Sequence, residues 1–494
     1  MKLDRFNFDL HKDPYNNLRK LKIFIDLHVK NKKITDFLYL LSLIFDCPKN
    51  ILDLKLKKLI FNKYNFSKKK FILNNSKGAI LKDFLLFFTI LFVTFFFSKL
   101  PHKKKKYDII YDNIDDYNQF FKYKKLSSKF DSALYVCKKN FYLHYFEEQI
   151  YREGIFDFYL DNFFLNSVNL IKLYFCLLKY SFSSNENYIN LFNILLISIL
   201  KNQYFFLRVN SKYLINDRFY LTCPIRNFFF KKNDGIISGC TQLHHYEPSI
   251  GFYCDIDVLF TFGNEEITKK RMRSFGGRVI HSHPIGSLQM EHLFFGNKKF
   301  YVNKKHYKKK IDILFIGLNK ANWYYLPNVK KQYTKCLIWI RNLSNKYPEL
   351  TIKIKHHSNS SVDPIEEKIF RNSNVKIIKK NYDLKKIKGD KNTNKISYYN
   401  KSYEYLIRSD TILSFGSTMV LESNSLGKKV YFCNPNLEST NFFLYCNYLN
   451  NFIIKDYKEL IKKVNSKKKD YTKICLDSRL VSDRIFNYLI KYDK

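Results

Sequence analysis

"SDTILSFGSTMVLESNSLGKKVYFCNP", residues 409–435, decides the fold. Residues 411–415 form a β-branched and aromatic run and residues 430–433 form another, each short enough for a buried parallel strand. Between them Val420, Leu421 and Leu426 make a one-sided apolar pattern. Gly427, followed by Lys428 and Lys429, is a helix stop with cations at the negative end of the dipole. The stretch therefore reads as a compact βαβ unit. Gly416, Ser417 and Thr418 precede its helix, where unpaired backbone N–H groups and a partial positive charge allow hydroxyl residues either to cap the helix or to bind a phosphate. Glu422 lies one turn in, on the face shared with Thr418, where a carboxylate either answers the dipole or accepts hydrogen bonds from a ribose. The stretch by itself leaves both alternatives open.

Working outward, the chain has 494 residues of which 46% are hydrophobic, enough for two or three domains with sizeable cores. Lys and Arg number 86 against 44 Asp and Glu, a formal net charge of +42. Such a balance suits nucleic acid, an anionic membrane surface or phosphate-bearing substrates. Part of the excess reflects a composition rich in Lys, Asn, Ile, Phe and Tyr, as an AT-rich genome writes. Ten cysteines are scattered singly without a CxxC pair, so neither a zinc module nor a disulfide scaffold is indicated and a reducing compartment is expected. The opening "MKLDRFNFDLHKDPYNN" is polar and charged, so no cleavable signal peptide is read there and a cytoplasmic catalytic body is expected.

One apolar run stands out, "FLLFFTILFVTFFF" at 84–97, with Lys99 and "HKKKK" at 102–106 behind it. As a helix it would be roughly 21 Å long, short of the ~30 Å hydrocarbon core. It is expected to lie in or dip into the inner leaflet while the cations meet anionic lipid, a buried core helix being the alternative.

Three segments follow from these patterns. Residues 1–106 are a basic, mainly helical N-terminal extension ending in the apolar segment. Residues 107–308 open with "YDIIYDNIDD", a strand emptying into an acidic loop, and continue as alternating strands and helices through "GIISGCTQLHHYEP", "IDVLFTFG" and "GGRVIHSHPIGS". Residues 309–494 begin a second alternation at "KKIDILFIGLN" and end in a helical tail. The expected fold class is α/β, two facing Rossmann-like doubly wound domains. Nine of the 14 glycines fall between Gly235 and Gly317, on either side of the expected joint, where backbone must turn tightly or approach closely. Neither GxGxxG nor GxxxxGK[ST] occurs, which leaves no dinucleotide fingerprint and no P-loop.

The order "YDIIYD", "CTQLHH", "DVLFTFG", "PIGS", "DILFIGLN", "KIKHH" and the opening stretch resembles bacterial surface-carbohydrate transferases of the GT-B fold, in particular capsule polysaccharide, polysialyl and CDP-glycerol transferases. The resemblance covers roughly 107–480. In that group a motif D-x-x-x-S-x-x-S-x-x-x-E holds the donor, and Asp410, Ser414, Ser417 and Glu422 match it approximately. It thus implies donor binding by Gly416, Ser417, Thr418 and Glu422. A preceding K-x-H-P implies Lys355 and His356 at the nucleotide phosphate, although His357 stands where proline is usual. A motif Q-x-x-H-G fits Gln242 and His245 with Tyr246 in place of glycine, and implies His245 as general base with His244 beside it.

The residue types suit that chemistry. A base titrating near neutrality deprotonates the acceptor hydroxyl, and helix N-termini with basic side chains stabilise the departing phosphate without a bound metal. Asp112, with Asp115 and Asp116, is a second candidate for base or acceptor binding. His281 and His283 share one face of a strand but lack a third ligand nearby, so no metal and no cofactor beyond the donor substrate are expected. The expected function is transfer of a sugar or polyol-phosphate from a nucleotide-activated donor to a surface glycan or lipid-linked acceptor, by an enzyme peripheral on the inner face of the cytoplasmic membrane. A nucleotide-sugar 2-epimerase of the same fold is the alternative. Nucleic acid is not an expected partner, because the lysines are spread along the chain without a recognisable binding signature.

Overall fold

A computed structural model describes residues 14–65, 76–97, 103–114, 117–137, 150–184, 186–218, 221–241, 253–263, 266–295, 311–317, 329–356, 364–378, 402–435, 451–466 and 474–492. Four helices come first: α1 (Pro14–Val29), α2 (Lys32–Phe45), α3 (Lys49–Asn65) and α4 (Lys77–Phe97). A parallel seven-stranded sheet follows, built from β1 (Lys105–Asp112), β2 (Ala133–Cys137), β3 (Ile150–Arg152), β4 (Val209–Asn216), β5 (Ile237–Thr241), β6 (Asp255–Thr261) and β7 (Arg278–Pro284). Its order is β3-β2-β1-β4-β5-β6-β7. Helices α5 (Tyr117–Ser127), α6 (Phe163–Ser184), α7 (Tyr188–Arg208) and α8 (Pro224–Lys232) connect the earlier strands. The second parallel sheet has β8 (Ile311–Ile316), β9 (Ile352–Lys355), β10 (Lys376–Ile378), β11 (Ser409–Ser414), β12 (Lys429–Cys433) and β13 (Ile453–Ile454), in the order β10-β9-β8-β11-β12-β13. Two doubly wound α/β units are therefore what the structure has, as read from the strand and helix alternation.

The opening stretch folds as read. β11 and β12 pair in parallel, Thr411 opposite Lys429 and Ser414 opposite Phe432, around the short helix Thr418–Asn424. Gly427, at φ +69°, takes the left-handed conformation that ends the helical segment.

Two parts of the domain organisation differ from the sequence reading. The N-terminal helices do not stand apart: Leu21, Leu38, Leu52 and Phe87 share one buried core with Leu177, Leu196 and Phe229 from α6, α7 and α8. The last helix, Val481–Lys491, leaves the second unit, and its Val481, Ile485 and Leu489 pack with Ile109, Tyr111 and Val258 of the first sheet. Helical periodicity marks an apolar face but not which unit that face will cover.

α4 also differs. It has 21 residues, about 31 Å at 1.5 Å per residue, because its first turns extend through Lys82 and Asp83 before the apolar run. By length and composition, with a mean hydropathy of 2.1, it is long enough to cross a membrane. One side of it, however, lies in protein: Phe84, Phe87, Ile90 and Leu91 belong to the first unit's core, and Phe87 stacks on Tyr174 at 3.7 Å. Asp83 anchors its start, accepting from Asn187 at 2.6 Å and Asn190 at 3.2 Å.

Among the described residues, two segments link the cores of the two units. In residues 285–295, Ile285 and Leu288 enter the core of the first sheet while Met290 and Leu293 enter that of the second. In residues 474–489 the order is reversed, Ile474 and Cys475 packing on the second unit before the last helix returns. Two of the glycines near the expected joint sit here. A Cβ on Gly263 would stand 2.5 Å from the carbonyl oxygen of Ile474, and one on Gly286, at φ +92°, 3.0 Å from that of Leu476. These close approaches leave no room for a side chain.

Candidate functional site

In an open parallel sheet, ligands bind outside the carboxyl ends of the strands, at the point where the strand order reverses. That point lies between β1 and β4 in the first sheet and between β8 and β11 in the second. Both are furnished with buried polar side chains.

At the second reversal the ends of β11, β8 and β9 lie in register, Ser414 beside Ile316 and Ile316 beside Lys355. The Ser414 hydroxyl donates to the Ile316 carbonyl at 2.8 Å and accepts from the Gly416 N–H at 3.1 Å, so it stitches the two strands exactly where the turn begins to leave the sheet. Lys355 and His356 are both buried, and the His356 Nε2 stands 3.3 Å from the Glu366 carboxylate. Gly317 donates its N–H to the Lys355 carbonyl at 2.8 Å. A Cβ there would lie 2.8 Å from the Tyr333 hydroxyl and 2.9 Å from the His356 Nδ1, so glycine is what lets these side chains crowd against the strand end. The structure thus brings Lys355 and His356 to the same sheet end as Gly416, Ser417 and Thr418. The Ser417 hydroxyl accepts from the Met419 N–H at 3.3 Å, which is the capping geometry.

Glu422 stands elsewhere than at an open ribose site. It is buried, and its two carboxylate oxygens accept from the Ser287 hydroxyl at 2.6 Å and the Tyr403 hydroxyl at 2.8 Å. Ser287 belongs to the joint segment, where its own N–H donates to Ser478 at 3.1 Å and its hydroxyl accepts from the Met290 N–H at 3.2 Å. The helix expected to serve the donor is therefore tied through Glu422 to the segment joining the two units.

At the first reversal Asp112, Asn216 and Cys240 lie in register at the ends of β1, β4 and β5. Asp112 is buried and ion-paired to Arg226 at 3.0 Å, and Arg226 also donates to Glu153 at 2.7 Å. The guanidinium lies over the Phe205 ring at 4.1 Å. Burial works against the Arg226 charge, yet Asp112 and Glu153 hold its pKa above the ordinary value. Asn113, at φ +63°, bridges Asp112 and Asn216 with hydrogen bonds of 3.0 Å each. The next position carries Asp217, buried between Lys122, its ion-pair partner, and Arg218 at 3.2 Å. Thr241 links this group to Tyr123 at 3.0 Å.

His292 sits beside this end, in a π-helical turn at 291–295, its ring parallel to Phe121 at 6.3 Å. Burial, with the charge of Lys122, pushes its imidazole down to about 4, so it is neutral at physiological pH. Asp217, Lys122, His292, Ser287 and Tyr403 were not singled out in the sequence. The two residues that follow β4, Asp217 and Arg218, were the available signal, since charged residues directly after a central strand mark its carboxyl end.

Gln242, His244 and His245 lie outside the described residues, as do Asp115, Asp116 and His357. Thr241, the residue before Gln242, ends β5 at the first reversal. His281 and His283 do share a face of β7, as their spacing implied, with ring centroids 5.8 Å from Tyr492, just past the last helix, and 4.6 Å from Tyr488 within it. Among the described residues no cluster of three His, Cys, Asp or Glu side chains is placed to hold a metal ion.

No family model matches the chain, and no curated protein does. Among solved structures it is similar to the UDP-GlcNAc 2-epimerase from Neisseria meningitidis bound to UDP-GlcNAc, at 12% identity, TM-score 0.43, over 78% of this chain and 100% of that one. It is also similar to the wall teichoic acid polymerase TagF, at 15% identity, TM-score 0.43, over 83% of this chain and 95% of that one.

Proposed function

We propose that the protein is an enzyme that binds a nucleotide-activated sugar or polyol and transfers it, or its phosphate-bearing group, to a glycan or lipid-linked acceptor. The observation that carries this reading is the furnishing of both strand-order reversals with buried polar side chains. In the second sheet these are Lys355, His356 and Ser414, next to the turn at Gly416, Ser417 and Thr418. In the first they are Asp112, Asn216, Asp217 and Thr241. An apolar architectural core has no use for so many desolvated polar groups at one edge, since each must find partners to offset the loss of water. The formal charge of +42 suits a phosphate-bearing substrate. In this reading the second sheet takes the nucleotide, with Lys355 and His356 countering phosphate charge, and the first sheet takes the acceptor, with His245 as the base.

The test is a thermal-shift screen with CMP, CDP, UDP and GDP on the whole chain. A ligand that binds only the native state, at a hundredfold excess over its dissociation constant, stabilises by about 2.7 kcal/mol. One nucleotide is expected to raise the midpoint well beyond the others. No shift with any of them would overturn the reading, and conversion of a donor sugar with no acceptor present would mark a 2-epimerase instead.

A further inference from the structure

Large apolar side chains are exposed on the N-terminal half of the molecule in one arrangement. On α4, Leu85, Phe92 and Phe96 are 64%, 65% and 56% exposed and recur at i, i+7 and i+11, one stripe of the helix. On α6, Phe164 and Phe175 are 74% and 54% exposed at i and i+11, the same kind of stripe. On α2, Leu43 is 61% exposed. These helices lie against one another. Phe84 of α4 meets Phe175 of α6 edge-on at 5.2 Å, and Phe95 meets Phe163 at 5.3 Å. On the other side of α6, Tyr180 packs on Phe37 of α2 at 5.9 Å and donates to Asn31 at 3.3 Å. The outward stripes therefore sit on helices packed side by side, α4 on α6 and α6 on α2, rather than as single scattered apolar residues.

The charges on the same three helices have one dominant sign. Lys32, Lys33, Lys77, Lys82, Lys172 and Lys179 are exposed, against Asp36 alone among exposed acids, and residues 84–97 carry no charge. Apolar stripes rimmed by lysines are what a leaflet with anionic headgroups accepts.

We propose that α2, α4 and α6 together form a non-spanning face that seats the protein on an anionic bilayer. α4 has the length to cross, but crossing would pull Phe84, Phe87 and Ile90 out of the core and break the bonds of Asp83 to Asn187 and Asn190. α7, the other helix of spanning length and hydropathy among the described residues, is two-thirds buried and serves as core. The embedding surface thus extends beyond the apolar run at 84–97 to side chains about eighty residues later in the chain. This inference does not rest on the donor reading, since it concerns a different surface and requires no ligand.

The experiment uses the full chain and co-sedimentation with vesicles of phosphatidylcholine with and without phosphatidylglycerol. Binding to the anionic vesicles is expected. Phe92→Glu on α4 and Phe175→Glu on α6 should each weaken it about tenfold or more, because each removes a buried aromatic from the leaflet and adds a charge. Lys172→Gln and Lys179→Gln, at positions outside the core, should each weaken it about fivefold and only on anionic vesicles. Unfolding midpoints measured alongside show whether each variant remains folded. Unchanged binding of folded Phe175→Glu together with unchanged binding of both lysine variants would overturn the proposal. So would a concentration-dependent dimer, lost in the same variants, from a protein that does not bind vesicles.

Discussion

The Ser287 hydroxyl donates to the Glu422 carboxylate at 2.6 Å, across 135 residues of sequence, and so ties the segment joining the two sheets to the helix that follows β11. Both groups are buried, and a buried carboxyl oxygen that loses its donor is left without the water that would replace it. Ser287→Ala is expected to lower stability by about 1–3 kcal/mol, the cost of leaving a buried acceptor without its donor. Glu422→Gln should cost less, since the amide still accepts one of the two bonds. Urea unfolding of both variants checks the order. Equal stability of Ser287→Ala and the parent would show that the bond contributes nothing to the joint.

The turn at residues 416–418 separates capping from phosphate binding. Ser417→Ala is expected to cost about 1 kcal/mol of stability through loss of the bond to the Met419 N–H. If the turn also holds the donor, Ser417→Ala with Thr418→Val will reduce nucleotide affinity by about 2–4 kcal/mol, from one or two charge-assisted hydrogen bonds. Nucleotide dissociation constants and unfolding midpoints measured on the same variants tell the two apart. A stability loss with unchanged affinity confines Ser417 to its helix.

Asp112 and Arg226 form a buried pair, and breaking such a pair from one side leaves a desolvated charge behind. Asp112→Ala is expected to destabilise the protein by about 3–5 kcal/mol. Replacing both residues, Asp112→Ala with Arg226→Met, should recover much of that loss. A double-mutant cycle by urea denaturation measures the coupling, and no coupling would remove the structural role and return Asp112 to the candidates for chemistry.

Stability should fall on mild acidification. His28 and His292 are both pushed down to about 4, chiefly by burial. In the unfolded chain they titrate near 6.5, so below that pH the unfolded state binds more protons than the native state, and stability is lost as pH falls from about 6.5 towards 4. Between pH 7 and pH 5 each contributes a loss of about 1–2 kcal/mol. His292→Gln should flatten this acid limb while leaving the limb due to His28. The check is the urea midpoint at both pH values for parent and variant.

The catalytic assignment is tested at His245. His245→Ala is expected to lower turnover by about 10²–10⁴-fold with donor affinity little changed, the range for a positioned base. His244→Ala should have a milder effect. Steady-state rates with a saturating donor measure both, and an unchanged rate for His245→Ala moves the role to another residue, with Asp217, buried directly after β4, the first described candidate to examine.

What the sequence by itself determined is local. Runs such as residues 411–415 and 430–433 specify strands, and Gly427 ends the segment between them, because side-chain sterics and hydrogen-bond spacing act over a few residues. The repetition of that pattern was enough for two doubly wound units, whereas Lys355 and His356 near the turn at 416–418 were implied by the resemblance of their motifs. Tertiary structure decided the rest. Which sheet the last helix covers, that Arg226 is the partner of Asp112, and that Glu422 answers Ser287 depend on chain segments brought together from far apart. A buried polar group must be paired by whatever the fold places beside it, and sequence spacing carries no record of that neighbour. The same holds for the apolar surface. The composition of residues 84–97 marks them as apolar, but only the packing of α4 on α6 decides that Phe87 is core while Phe92 is left facing outward.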